Sequence, residues 1–260
     1  MPHPTDDARG RPRLADERTD YLAGTLDDSL LDGSLPGGAD PMALFDTWME
    51  AAFARRDEAG DLPEPTAVVL STVDVTGPVP RPRSRAVLLK AADERGFVIY
   101  TNTGSAKGRQ LTATPWASLL LPWFPLQRQI RIDGRAETVD AAEADAYWAS
   151  RPRGSQIGSA ASEQSAPIAD RAALDARFTA AAAELGGADD ADGARPIPRP
   201  AHWSGFRVVP DRIEFWQGRH GRFHDRIEFT RDLAGGTEVG RGGQAGTDGH
   251  GPWRAQRLQP

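Results

Sequence analysis

The sequence predicts an α+β domain, mainly β and of barrel type, with helices at its periphery. Three observations carry this. Six or seven segments have the apolar, β-branched or alternating character of strands. Only a few helical patterns interrupt them. Strands and helices do not alternate in the regular order of a doubly wound sheet, and no G-x-G-x-x-G fingerprint follows a predicted strand. At 260 residues the chain is long enough to bury a substantial core.

In chain order, residues 1–17 are rich in Pro, Arg and Asp and predict a disordered tail. Asp40-Pro41 is a helix start, with Asp as N-cap and Pro at the first helical position. Leu44, Phe45, Trp48, Met49 and Ala52 give that helix an apolar stripe. Residues 67–73 are a β-branched strand, and 85–90 with 96–101 form a hairpin around the polar 91–95. A short helix over 106–113, a buried strand at 117–122 and an alternating strand at 128–137 come next. Helices are predicted over 141–150 and 170–185, the second closed by Gly186-Gly187. After an acidic, then Pro-rich connector at 186–200 come strands at 203–209, 212–217, 225–230 and 253–258. Residues 234–251 hold eight glycines and form a loop insertion in the 18–260 domain.

Composition excludes several chemistries. The chain has no Cys, so disulfides, thiolate nucleophiles and Cys-ligated metals are absent. No apolar run approaches the ~18 residues of a membrane span, the N-terminus has no signal-peptide core, and a cytoplasmic protein is expected. A net charge of −6 argues against non-specific nucleic-acid binding. Of 31 basic residues only Lys90 and Lys107 are lysines. Coding bias accounts for such a skew, but it also marks these two as places where a compact ammonium serves and a planar guanidinium does not.

Polar chemistry concentrates in three places. Arg151-Pro-Arg-Gly-Ser-Gln-Ile-Gly158 sets two Arg and a Ser within five residues, which suits a phosphate, although spacing alone favours a solvated, Arg-rich turn. Trp216-Gln-Gly-Arg-His-Gly-Arg222-Phe-His224-Asp-Arg226 gathers groups for an anionic or aromatic ligand, or forms a charged hairpin whose Trp packs inward. His220 and His224 have an i,i+4 spacing but no third ligand in view, so no metal is expected. Arg85 and Lys90 stand on one predicted strand. Tyr100 and Thr101 end the next strand, and Ser105 and Lys107 open the short helix after it. An odd separation puts Arg85 and Lys90 on opposite faces unless the strand bulges. Gln129, Gln164 and Ser165 add neutral hydrogen-bonding groups. No G-x-S-x-G elbow or Ser–His pairing is present, so the pattern favours binding of a phosphorylated, planar ligand over covalent catalysis by the protein.

Taken together and in order, Arg85-Ala-Val-Leu-Leu-Lys90, Tyr100-Thr-Asn-Thr-Gly-Ser-Ala-Lys107, Arg128-Gln129, Tyr147 with the 151–158 motif, Gln164-Ser165, Ile213-Glu-Phe-Trp-Gln-Gly218, Arg222-Phe-His224-Asp-Arg226 and Arg257-Leu-Gln-Pro260 closely resemble the pyridoxamine/pyridoxine 5′-phosphate oxidase family. The resemblance runs from about Arg18 to the last residue, outside the Gly-rich insertion. It implies an FMN-binding split β-barrel and a homodimer with FMN at the subunit interface. The implied reaction is oxidation of pyridoxamine or pyridoxine 5′-phosphate to pyridoxal 5′-phosphate, with O2 as acceptor and H2O2 as by-product.

It also implies roles: Arg85, Tyr100, Thr101, Lys107, Gln129, Gln164, Ser165, Trp216 and Arg226 on FMN, and Lys90, Tyr147, Arg151 and Ser155 on the substrate phosphate. Arg222 and His224 would lie over the pyridine ring as the catalytic candidates. Arg18 and Tyr21 would belong to an N-terminal segment closing over the substrate. Three features depart from the family pattern: Ala106 where a basic residue is frequent, the acidic Leu26-Asp-Asp-Ser-Leu-Leu-Asp32, and the insertion. The alternatives are a related flavin oxidase of this fold acting on a phenazine precursor, and a non-catalytic flavin- or pyridoxal-phosphate-binding protein.

Overall fold

The structure, a computed structural model, describes residues 20–21, 24–26, 40–187, 195–233 and 250–260. The tail expected at 1–17, Arg18, the acidic run at 27–32 and residues 234–249 of the insertion lie outside the described residues.

Helix α1 (Pro41–Ala59) begins as its sequence dictates, with the Asp40 carboxylate accepting from the Met42 N–H, and ends on Gly60 in the left-handed region. Its buried face sets Phe45 edge-on to Phe97 at 5.0 Å and Trp48 edge-on to Phe215 at 5.3 Å. Strands β1 (Ala67–Asp74), β2 (Arg81–Asp93) and β3 (Gly96–Asn102) form an antiparallel meander. Helix α2 (Ala106–Ala113) is next, then β4 (Trp116–Trp123), β5 (Arg128–Thr138), α3 (Ala141–Ala149), α4 (Arg153–Ala161), α5 (Arg171–Glu184), β6 (Trp203–Gln217), β7 (Asp225–Thr230) and β8 (Arg254–Arg257). The sheet runs β3-β2-β1-β4-β5-β6-β7-β8, and β3 also pairs with β6. Six strands therefore close into an antiparallel barrel, and β7 and β8 extend from it. Closure removes two sheet edges, and the barrel interior holds Leu70, Phe97, Ile99, Leu121, Ile130, Ile132, Val208 and Ile213.

Three expectations are corrected. The strands expected at 203–209 and 212–217 are one strand, β6. Asp133 pairs with Arg212 and Gly134 with Pro210, so Asp211 is an extra residue, a β-bulge. The core-facing positions accordingly switch from Phe206 and Val208 to Ile213 and Phe215. The hairpin turn expected at 91–95 is only Glu94-Arg95. β2 runs on to Asp93 because a second bulge, between Leu89 and Ala91, leaves Lys90 as the extra residue and keeps Ala92 facing inward with Leu89. The 151–158 motif is not a turn: most of it lies in α4. That helix has almost no apolar stripe. It is held by polar side chains bonded to backbone, including Gln156 Nε2 to Trp148 O at 2.7 Å.

Candidate functional site

A cleft of about 570 Å³ opens between β2, β3, α2, α3, α4 and the start of β6. Lys90, Tyr100, Thr101, Lys107, Tyr147, Arg151, Ser155 and Gln164, scattered over 75 positions of the sequence, all line it. Lys90 reaches it beside Ala86 and Leu88 on the outer face of β2. Arg85, on the opposite face, lies behind this wall. Its guanidinium donates to Thr72 Oγ1 at 2.7 Å, Leu70 O at 3.2 Å and Gln110 Oε1 at 2.8 Å.

The N-terminus of α2 forms one end of the cleft. Ser105 caps it by accepting from the Gly108 N–H. The Ala106 N–H donates to Ser165 Oγ at 3.2 Å, and Ser165 itself sits at φ 74°. Lys107 Nζ donates to Gln164 Oε1 at 2.7 Å, Thr101 Oγ1 at 3.2 Å and Ser105 Oγ at 3.4 Å. Every one of these acceptors is neutral. Burial and then the nearby Arg85 charge push the Lys107 ammonium below its ordinary value, and burial followed by Arg83 does the same to Arg85.

At the other end, Tyr100 and Tyr147 stack at 3.9 Å and 13°, with Trp203 nearly parallel to both. Gly205 makes the stack possible, because a Cβ there would meet Tyr100 Cδ1 at 2.8 Å. Burial, with the Glu143 charge next, pushes the Tyr100 phenol up to about 12, so it stays a hydrogen-bond donor. Burial lowers Arg151. Arg153, the second arginine of the motif, turns away and donates to the backbone oxygens of Leu185, Gly187 and Arg195, where it ties down the end of α5.

Among the described residues, no carboxylate stands within ion-pair distance of Arg85, Lys90, Lys107 or Arg151, whereas most arginines elsewhere have one. Three cations destabilised by burial and left without counter-charge make a cradle for anions. A helix N-terminus adds its dipole at the Lys107 end. This arrangement fits a ligand with a phosphate at the Lys107 end, where Arg85 adds its charge from behind the wall, and a second phosphate at the Lys90–Arg151 end.

The remaining expected residues gather elsewhere. Gln129, Trp216 and Arg226 are cross-strand neighbours on β5, β6 and β7. His224 packs against Trp216 at 4.5 Å, and Tyr21 stands edge-on to both. Arg222, at φ 65°, lies 6.0 Å over the Tyr21 ring. Gly218 lets Tyr21 this close, since a Cβ would meet Tyr21 Cγ at 2.9 Å. His224 Nδ1 accepts from the Arg219 N–H at 3.1 Å. Burial, then the Arg222 charge, lowers its pKa, so the ring is neutral and carries its proton on Nε2. His220 pairs with Asp20 at 2.7 Å. Arg226 donates to Glu214, which is 5% exposed and also forms an ion pair with Arg131.

Two half-sites therefore exist, and β6 carries both. Ser204, the partner of Thr101, and Trp216 are twelve residues apart on that strand, roughly 40 Å of path. Sequence reasoning missed Thr72, Gln110, Asn102, Ser159 and Trp203. The first two hold Arg85 through contacts between strands and a helix far apart in sequence, which no local motif marks.

A family model described as pyridoxamine 5′-phosphate oxidase matches residues 57–183, and one described as the pyridoxine 5′-phosphate oxidase C-terminal dimerisation region matches 203–260. The chain is 49% identical over 221 residues to a pyridoxine/pyridoxamine 5′-phosphate oxidase of Burkholderia multivorans, covering 85% of this chain and 93% of that one. It is 48% identical to the protein of that name from Synechocystis, covering 95% of this chain and 98% of that one. Among solved structures it resembles PhzG from Burkholderia lata in complex with tetrahydrophenazine-1-carboxylic acid: TM-score 0.69, 30% identity, 88% of this chain and 99% of that one. A pyridoxamine 5′-phosphate oxidase-related, FMN-binding protein from Nostoc punctiforme shares the fold at TM-score 0.58 and 16% identity, covering 85% of this chain and 98% of that one.

Proposed function

The chain belongs to the pyridoxamine 5′-phosphate oxidase family of oxidoreductases, and from that premise we propose that it oxidises C4′ of pyridoxamine and pyridoxine 5′-phosphate to the aldehyde of pyridoxal 5′-phosphate, with FMN as cofactor and O2 as the final acceptor, yielding H2O2. The observation that carries the reading is the pair of counter-charge-free cationic ends in one cleft, one for each of two phosphates.

FMN, when bound, supplies hydride acceptance and transfer to dioxygen. Lys107, Thr101, Gln164 and Ser165 would hold its phosphate end, Arg85 would add positive charge from behind the wall, and Tyr100 would flank it. Lys90, Tyr147, Arg151 and Ser155 would take the substrate phosphate. That group is remote from the reacting carbon, so its binding energy serves to orient C4′, and good orientation is worth roughly 7–11 kcal/mol of barrier. Gln129, Trp216, Arg226, Arg222, His224 and Tyr21 would complete the site from a second copy of the chain, since the path along β6 between the half-sites is longer than a mononucleotide. The match to a dimerisation region supports this homodimer. His224, neutral with Nε2–H, would donate a hydrogen bond to the substrate; its locked Nδ1 makes it a poor general base. A cytoplasmic location belongs to the same reading.

The likeness to PhzG favours one second reading, a related flavin oxidase acting on an unphosphorylated ring system. The test is an oxidase assay on purified, yellow protein with pyridoxamine supplied with and without its 5′-phosphate. Turnover confined to the phosphorylated form supports the proposal, and indifference to the phosphate supports the second reading. A colourless protein that takes up no FMN would overturn both.

A further inference from the structure

Arg151 is held in an unusual way for an arginine with a phosphate to bind. Its guanidinium carbon lies 4.9 Å over the Trp203 ring and 5.3 Å over the Trp148 ring. The two indoles meet at 4.8 Å and 65°, so the cation nests in the angle between them. Nη1 donates to Ser159 Oγ at 2.9 Å. Both indoles are buried; Trp148 is fixed by its Nε1 donating to Ile197 O at 2.8 Å, and the Trp203 ring by packing against Trp148 and Tyr100. A carboxylate would orient an arginine equally well but would neutralise it. Ring faces and a hydroxyl orient it and leave its charge available.

We propose that Trp203 and Ser159 are positioning residues that set the enzyme's preference for phosphorylated substrates, by pre-aiming Arg151 into the cleft as an uncompensated cation. The inference rests on the reading that Arg151 binds the substrate phosphate. Trp203 belongs to the small core cluster with Trp148, Ile157 and Ile197, so the conservative Trp203→Phe, which keeps a weaker ring face, and the surface-mild Ser159→Ala are the variants of choice. Ser159 contacts no group assigned to FMN, whereas Trp203 also stacks on Tyr100 at 5.5 Å, so Ser159→Ala is the cleaner of the two.

The experiment is a double-mutant cycle on the holoenzyme. The readout is the ratio of kcat/KM for pyridoxamine 5′-phosphate to that for pyridoxamine, with FMN affinity measured separately by flavin fluorescence. Trp203→Phe is expected to lower the ratio by about ten-fold and Ser159→Ala by roughly three-fold, with FMN affinity unchanged in Ser159→Ala. In an Arg151→Ala background neither should lower it further. Equal loss on both substrates, or a full effect of Trp203→Phe without Arg151, would overturn the inference and leave Trp203 a packing residue. An unchanged ratio in Arg151→Ala alone would instead overturn the phosphate assignment beneath it.

Discussion

Asp225 and Leu26, 199 residues apart in sequence, are joined by a 3.1 Å hydrogen bond from the Leu26 N–H to the buried carboxylate. The other oxygen of Asp225 receives Arg257 Nη1 at 2.7 Å, and Nη2 of the same arginine reaches back to Leu26 O. Both backbone polar groups of Leu26 are thus satisfied by one side-chain ion pair, and the segment bearing Tyr21 is anchored at its far end. Asp225→Asn should cost about 2–3 kcal/mol in a urea titration and expose the arm near residue 26 to proteases. Unchanged stability and cleavage would show that the arm is anchored elsewhere.

Lys107→Ala should lose FMN before it loses affinity for the phosphorylated substrate, with a flavin Kd raised roughly ten- to hundred-fold. Lys107→Arg should also weaken FMN binding, because the niche under Gln164 and Thr101 is cut for an ammonium. Wild-type flavin affinity in Lys107→Arg would return the rarity of lysine to coding bias.

The depressed Lys107 pKa gives a pH dependence with a definite sign. In the flavin-free protein the folded state gives up this proton at lower pH than the unfolded chain, whose lysine titrates near 10.5. Between those two values the unfolded state binds more protons, so stability rises with pH. FMN affinity moves the other way, falling as the ammonium is lost. Thermal melts of flavin-free wild type and Lys107→Gln across alkaline pH should differ in slope, the variant lacking this increment. Parallel curves would contradict the assignment.

Arg151→Ala should raise KM for the phosphorylated substrate by roughly ten- to hundred-fold and leave flavin retention nearly intact. Equal loss of both would mean that the two phosphate ends have been exchanged.

For His224 the expected imidazole is the neutral Nε2–H form, seen by 15N NMR, titrating below 6.5 because of burial and then Arg222. Activity should therefore show no histidine-like limb near neutral pH from this residue. A dominant Nδ1–H form would break the Arg219 contact and restore His224 as a base.

Much of the fold was legible because its cues are local. Asp40-Pro41 opens α1, Gly186-Gly187 ends α5, and β-branched runs mark β1 and β3. The hydrophobic pattern hid β6, whose core-facing phase slips at Asp211 and so resembles two short strands, and it hid α4, whose stability comes from Gln156 and Arg153 bonding backbone rather than from an apolar stripe. The opposite faces expected for Arg85 and Lys90 assumed a regular strand; β2 bulges at Lys90 itself, which alternation from Arg85 does not foresee, and the lysine lines the cleft beside Ala86 and Leu88. The motifs could not reveal that they fold into two clusters. Spacing along the chain carries no information about which neighbours a closed barrel brings together, and Trp203 shows this best, since it supports Arg151 from 52 residues away.

The Asp211 bulge has one more consequence. Since side chains on a strand alternate, β6 behaves like a two-position dial, and one residue more or less between Ser204 and Trp216 turns the outer end by half a revolution. Deleting Asp211 would swing Trp216 and Glu214 toward the apolar interior and Phe215 toward the outer face. The length of this one strand is therefore quantised in steps of two, and chains sharing this site should tolerate insertions there only in pairs.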